Sequence, residues 1–120
     1  MNAATVAAEH IAEGDAVAAI SGAFTASRAS TALAEAATVD TLPDLASLAL
    51  AGVPVAVCER FAVAGQQTRH GSAATLLPVA GRDHEMVRRL RGAGAVVLGA
   101  TRASELGLWA STDDGQGPLA

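Results

Sequence analysis

The chain has 120 residues, 51% of them hydrophobic, and its formal net charge is −4. A chain of this length forms at most one domain, and its negative charge argues against a general nucleic-acid-binding protein. Alanine is the most frequent residue and aromatic residues make up only 2%. Because small side chains bury little area each, we expect a thinner core than the hydrophobic fraction suggests.

Three absences in the sequence bear on where the chain acts. Cys58 is the only cysteine, so no intrachain disulfide can form, and a cytoplasmic location fits this. The N-terminal residues contain no basic segment followed by an apolar run, so we expect no signal peptide. No run of about 18 uncharged apolar residues occurs, so we expect no contact with a membrane.

The N-terminal part of the chain is rich in alanine, with its other apolar residues at helical spacing from Ala3 to Thr38. This pattern predicts a first helix, a second helix that Asp15 caps and that extends to Phe24, and one or two helical turns around Leu33. We interpret residues 1–49 as helical cover for the rest of the chain.

A short apolar run then follows a connector that contains Pro43. Val53 to Val57 is rich in valine and is bounded by Gly52 and by the charged residues Glu59 and Arg60. Such a run is typical of a strand that is buried on both faces. A polar loop with two glycines, from Ala64 to Ser72, comes next.

The next segment predicts a helix and a second strand. Asp83 is placed to cap a helix from His84 to Arg91, which Gly92 ends. Its apolar face consists of Met86, Val87 and Leu90, and Glu85 is spaced to pair with Arg88 or Arg89. Ala95 to Leu98 predicts a second buried strand, which Gly99 closes.

The order strand, helix, strand predicts a βαβ unit with parallel strands and a right-handed crossover. We assign this unit to residues 50–110, with a last short helix from Ala103 to Leu108, and we interpret residues 111–120 as a polar tail. The expected fold class is therefore α/β, with a helical N-terminus followed by the βαβ unit.

The candidate chemical groups form no complete site. No second cysteine and no clustered carboxylate accompanies His70 and His84, so we expect no metal. The glycines around the second strand do not have dinucleotide-binding spacing, so we expect no cofactor. Asp113 and Asp114 are interpreted as solvated. Cys58 is either an inert buried strand residue or, with His70, a thiol–imidazole nucleophile pair.

Several runs, taken in order, resemble the amidase-signature family. The run LAGVPVAV at residues 50–57 is similar to the "GVPVAVKD" strand that carries the catalytic lysine of these enzymes. The loop contains Ala64-Gly65, Thr68 and Gly71-Ser72 where the family has "AG…T…GS". Residues 83–99 match the family's "RD…VVRRLRAAGAVVLGKT" segment, and SELGLW at 104–109 resembles "PELGLW". The resemblance implies a fragment of a larger mixed sheet.

The departures from the family pattern concern its catalytic residues. Cys58 occupies the position of the catalytic lysine, Ala100 occupies that of a later lysine, and the sequence contains no lysine at all. The resemblance implies a nucleophilic serine, a bridging serine and a glycine-rich oxyanion hole in a segment downstream of the matched runs, and Ser72 matches only the structural "GS" of the loop. We therefore expect no catalytic residue in this chain.

Three hypotheses about function follow from the sequence. The chain is an amidase-family fragment without activity of its own, or it is a structural or regulatory module that docks on another subunit or on a complementary amidase half. The third hypothesis is a stand-alone enzyme that uses Cys58, whose nearest positive neighbour in sequence is Arg60. With few neighbouring strands, exposed strand edges are expected to promote self-association or docking on another chain.

Overall fold

The computed structural model describes residues 2–21, 23–72, 78–108, 112–113 and 118–119. Within these residues, three helices and a three-stranded sheet form the main body, and two 3₁₀ turns occupy the connections. The helices are α1 (Ala3–Ser21), α2 (Ala29–Asp40) and α3 (Glu85–Gly92); the strands are β1 (Phe24–Ser27), β2 (Pro54–Cys58) and β3 (Val96–Thr101), followed by a short ladder of β4 (Thr112–Asp113) with β5 (Pro118–Leu119).

The sheet has the order β1-β3-β2, so β3 is its central strand. β2 runs parallel to β3, with Pro54 opposite Val96 and Cys58 opposite Thr101. Since α3 lies between these two strands in the chain, the predicted βαβ unit with parallel strands is confirmed. β1 runs antiparallel to β3 on its other side, which makes the sheet mixed.

The N-terminal segment differs from its prediction. A single helix, α1, continues through Gly14 and Asp15 to Ser21, so the prediction that Asp15 caps a second helix is wrong. One glycine costs a helix only about 1 kcal/mol, which the neighbouring helix-forming residues can offset. Phe24 begins β1 rather than ending a helix, because pairing with β3 overrides the local helical spacing. The turns predicted around Leu33 form a helix of 12 residues, α2.

Helices cover both faces of the sheet and form two small cores. Side chains of successive strand residues point to opposite faces, so Val96 and Val97 enter different cores. Val96 packs with alanines of α1 and α2, and Val97 packs with Val57 and with Val87 of α3. The largest side chains that are fully buried among the described residues are valines, which fits the thin core expected from the composition.

The strand β2 is not buried on both faces, contrary to the prediction. It pairs with β3 alone in the described sheet. Val57 is 3% exposed, whereas Ala56 is exposed and Val53 is 41% exposed. The valine-rich pattern predicted cover on both faces, but in the described residues only the face that carries Val57 is well covered and the face that carries Ala56 is not. β2 also has a neighbouring strand only toward β3 in the described sheet.

The helix α3 begins at Glu85, and its cap is His84, whose Nδ1 accepts a hydrogen bond from the Met86 N–H at 3.1 Å. The prediction that Asp83 caps this helix is therefore wrong. The helix ends at Gly92 as predicted. Glu85 bonds both Arg88 and Arg89, and these hydrogen bonds lower the pKa of its carboxyl group from 4.5 to about 2.

The strand β3 continues through Gly99 to Thr101, so the prediction that Gly99 closes the strand is wrong. A Cβ atom at Gly99 would overlap the carbonyl oxygen of Ala26 in β1. Glycine at this position therefore permits the close approach of β1 to β3 and does not end the strand.

The C-terminal segment is less regular than predicted. The helix expected from Ala103 to Leu108 is a single 3₁₀ turn, Glu105–Gly107, in which Leu106 has a φ of 52°. Within the predicted polar tail, the short strands β4 and β5 pair antiparallel. Trp109 and Asp114, which the sequence singled out, lie outside the described residues.

A chain of charged side chains joins the helical cover to the βαβ unit. Arg28, with a side chain only 5% exposed, pairs with Glu35 at 2.7 Å and donates to the Val97 carbonyl oxygen at 2.7 Å. Arg91 of α3 pairs with the same Glu35 at 3.2 Å and with Asp83 at 3.0 Å. Local sequence spacing does not predict these contacts, because Arg28 and Arg91 are far apart in sequence and meet only at Glu35.

Replacing Arg28 is expected to cost much more stability than replacing an exposed arginine. Arg28→Met leaves the buried Val97 carbonyl without its side-chain donor and removes one partner of Glu35, so we expect a loss of about 2–4 kcal/mol in the free energy of unfolding. Arg88→Met breaks an ion pair at an arginine 66% exposed, which should cost much less stability than the loss at Arg28 because solvent screens exposed ion pairs. Urea denaturation followed by circular dichroism measures both; equal losses would contradict the role assigned to Arg28.

A methyl group is expected to have opposite effects at two glycines. Gly99→Ala forces β1 away from β3 and should lower the free energy of unfolding by about 2–3 kcal/mol. Gly92→Ala, at the end of α3 where nothing lies within 4 Å of the new Cβ, should raise it by about 0.4–1 kcal/mol. The same denaturation experiment compares them, and a neutral Gly99→Ala would show that β1 does not need this close approach.

Candidate functional site

The carboxyl ends of β2 and β3 lie side by side, and the two positions predicted from the family resemblance to correspond to lysines lie there. Cys58 is the last residue of β2 and is opposite Thr101, while Ala100 is opposite Val57. Parallel pairing brings these ends to one edge of the sheet. This edge therefore presents a half-buried thiol and a buried methyl group.

The residues that follow Cys58 form a tight turn. The Phe61 N–H donates to the Cys58 carbonyl oxygen at 3.0 Å. Arg60 is exposed, and its guanidinium carbon lies 5.7 Å from the centre of the Phe61 ring. The positive neighbour proposed for a reactive Cys58 therefore stacks on an aromatic ring, and no hydrogen bond joins it to the thiol in the part of the chain that the structure describes.

His70, the candidate imidazole partner of Cys58, is bonded through its backbone to the segment after β3. It is exposed, and its carbonyl oxygen accepts a hydrogen bond from the Leu106 N–H at 2.6 Å. Across residues 2–21, 23–72 and 78–108, no hydrogen bond joins His70 to Cys58. The structure thus gives no support to a thiol–imidazole nucleophile pair.

The loop between β2 and α3 is fastened to the segment after β3. Ser72 Oγ donates to Glu105 Oε1 at 2.7 Å. Gly71 has a φ of 69°, and a Cβ atom there would lie 2.5 Å from the carbonyl oxygens of Ala103 and Ser104. These contacts explain why the loop has glycine followed by serine, and they give Ser72 a structural partner.

Glu59 is a buried polar residue that the sequence analysis did not select. It is 4% exposed, its backbone N–H donates to the Thr101 carbonyl oxygen at 2.8 Å, and its Oε1 accepts from the Ala103 N–H at 3.0 Å. The position of Glu59 directly after a valine-rich run could have indicated a buried carboxylate. The sequence pattern was instead interpreted as the end of the strand.

Within the described ranges, no three side chains of His, Cys, Asp or Glu are grouped so that they could hold a metal ion. Of the helices that the structure describes, none is both long enough and apolar enough to span a membrane.

Comparisons with known proteins extend the geometric findings. The family model described as Amidase matches residues 6–117. The Mycobacterium tuberculosis protein named "Putative amidase AmiB2" is 49% identical over 59 residues, which are 49% of this chain and 13% of that protein. The matched region therefore represents a small part of this relative.

Two solved structures share the fold, and each matches a larger part of this chain than AmiB2 does. Native peptide amidase from Stenotrophomonas maltophilia has a TM-score of 0.75 and 32% identity, over 88% of this chain and 22% of that one. A structure described as "an unexpected vestigial protein complex" that "reveals the evolutionary origins of an s-triazine catabolic enzyme" has a TM-score of 0.79 and 35% identity, over 88% and 24% of the two chains.

The family model, the two fold matches and the order of the sequence motifs agree. The mixed sheet β1-β3-β2 with helices on both faces is a part of the amidase-signature fold, and this chain spans about a quarter or less of the relatives that it matches. The chain belongs to the amidase family.

Proposed function

We propose that this chain is an amidase-family segment that hydrolyses no amide by itself. The observation that carries the proposal is Cys58, which ends β2 at the position where the family has its catalytic lysine. The sequence offers no replacement, because all eight of its basic residues apart from histidine are arginine. A cytoplasmic location is part of this proposal and is supported by the single cysteine.

The chemistry of the missing lysine supports an inactive segment. The family base is an amine that takes a proton from a bridging serine, and a thiol does not replace an amine at the end of such a hydrogen-bonded relay. Ala100 supplies only a methyl group at the second lysine position. The resemblance places both serines and the oxyanion hole downstream of the matched runs, and each donor of an oxyanion hole contributes about 2.7–4 kcal/mol.

The alternative function is docking on another protein chain, and it is supported by the open side of β2. In the described sheet β2 pairs only with β3, and Ala56 and Val53 are exposed next to the unpaired side. Unpaired strand edges favour pairing with another chain. One of the similar structures, in which the matched region is 24% of the chain, is described as a vestigial protein complex, and this is consistent with docking on another chain.

The chain is expected to release no product from a chromogenic anilide or a primary amide above the buffer rate. Cys58→Lys should remain inactive as well, because the lysine alone supplies neither the nucleophile nor the oxyanion hole. Absorbance and ammonia release over several hours measure these reactions. The control is Cys58→Ser, which removes the thiol with little change in volume.

Hydrolysis that disappears in Cys58→Ser, or after alkylation of the folded chain with iodoacetamide, would overturn the proposal in favour of an enzyme that uses the thiol. Hydrolysis that survives both treatments would point to a group that the family resemblance does not assign.

The isolated chain is expected to form oligomers through the open side of β2. Ala56→Lys places a charge next to this side and should shift the distribution of masses toward the monomer, because edge lysines oppose strand pairing. Ala37→Lys adds the same charge on an exposed position of α2 and should leave the distribution unchanged. Light scattering after size exclusion measures both. A compact wild-type monomer with cooperative melting would contradict the docking function.

A further inference from the structure

A polar cavity of about 190 Å³ lies between β1, the carboxyl-terminal part of β3 and the loop that follows β2. Cys58 does not line it, but Ala100, the predicted second lysine position, does. Two alanines, Ala26 and Ala100, form part of its wall. The other lining side chains carry a charge, an amide group or a hydroxyl group: Thr25, Glu59, Gln66, Gln67 and Arg69.

Glu59 supplies a negative charge that is short of partners. Backbone hydrogen bonds to Thr101 and from the Arg69 N–H, at 2.8 and 2.9 Å, fix its position. Over the described residues its carboxylate accepts one hydrogen bond, from the Ala103 N–H, and takes part in no ion pair. An ionised carboxylate has about four acceptor sites, and a buried charge without a counter-charge is costly.

Arg69 supplies the opposite charge to the same cavity. Its guanidinium group makes one long hydrogen bond, of 3.4 Å, to Gln67 Oε1. Arginine has five N–H donors in a planar fork that fits a carboxylate, so most of this fork remains for a further acceptor. Arg69 and Glu59 do not pair with each other within the described region, which leaves two separate charged groups on one cavity.

The cavity is large enough for a small molecule, since its volume of about 190 Å³ is well above the roughly 10–15 Å³ that one water molecule needs. A small α-amino acid carries both an ammonium group and a carboxylate, which complement the two charges on the wall.

We propose that the cavity between β1 and the loop 64–72 binds a small α-amino acid, with its ammonium group at Glu59 and its carboxylate at Arg69. This site includes Ala100, the predicted second lysine position, but the proposed binding requires neither amide hydrolysis nor the open side of β2. It would satisfy the unpaired Glu59 carboxylate and tie the loop to the sheet.

Calorimetric titration of the 120-residue chain with glycine, methylamine and acetate tests the proposal. Glycine is expected to bind saturably, and methylamine and acetate, with one charge each, should bind at least about tenfold more weakly. Glu59→Gln and Arg69→Gln should each weaken glycine binding by at least about tenfold. The matched control is Arg82→Gln, which removes a charge from an exposed arginine outside the cavity and should leave binding unchanged.

Circular dichroism shows whether each variant remains folded. Glu59→Gln could unfold the chain if the hydrogen bond from the Ala103 N–H to the Glu59 carboxylate is needed for stability. In that case glycine binding by Arg69→Gln, a change on the loop, decides the proposal. The proposal is overturned by the absence of saturable glycine binding, by equal binding of glycine and methylamine, or by glycine binding that Arg69→Gln leaves intact.

Discussion

The central position of β3 is the constraint on which the rest of this structure depends. It is paired on both sides, parallel with β2 and antiparallel with β1, and its successive valines enter the two cores on opposite faces. Because most of the available apolar side chains are small, neither core could hold the helices in place without this doubly paired strand. Glycine at position 99 belongs to the same constraint, since it lets β1 approach β3 closely enough to pair.

Buried charge compensates for some of what the alanine-rich cores lack. Arg28 bonds β3 at the Val97 carbonyl oxygen and shares Glu35 with Arg91, and Arg91 in turn holds Asp83. Such contacts connect α2, β3 and α3 through groups with fixed directions, whereas packed alanines allow sliding. The chain thus gains a specific arrangement of its layers from a few ion pairs.

The same strand arrangement decides what the family membership implies for this chain. Parallel pairing brings positions 58 and 100 to one edge of the sheet, where this chain has a thiol and a methyl group. The fold of the matched part is that of the amidase family, and the sequence resemblance predicts lysines at these two positions. The two places proposed for interaction are the open side of β2 in the described sheet and the polar cavity beside Glu59, which Ala100 also lines.

The sequence by itself determined the βαβ unit, because a valine run, an amphipathic helix with Val87 on its apolar face and a second valine run each have a local period that tertiary contacts did not overrule. It also determined the family, and its assignment of position 58 to the family's lysine stays a prediction. Only the tertiary structure decided that Phe24 starts a strand, that Asp83 binds Ala64 and Arg91 instead of capping α3, and that β2 lies at an edge. Each of these depends on residues distant in sequence, and local spacing carries no information about such partners.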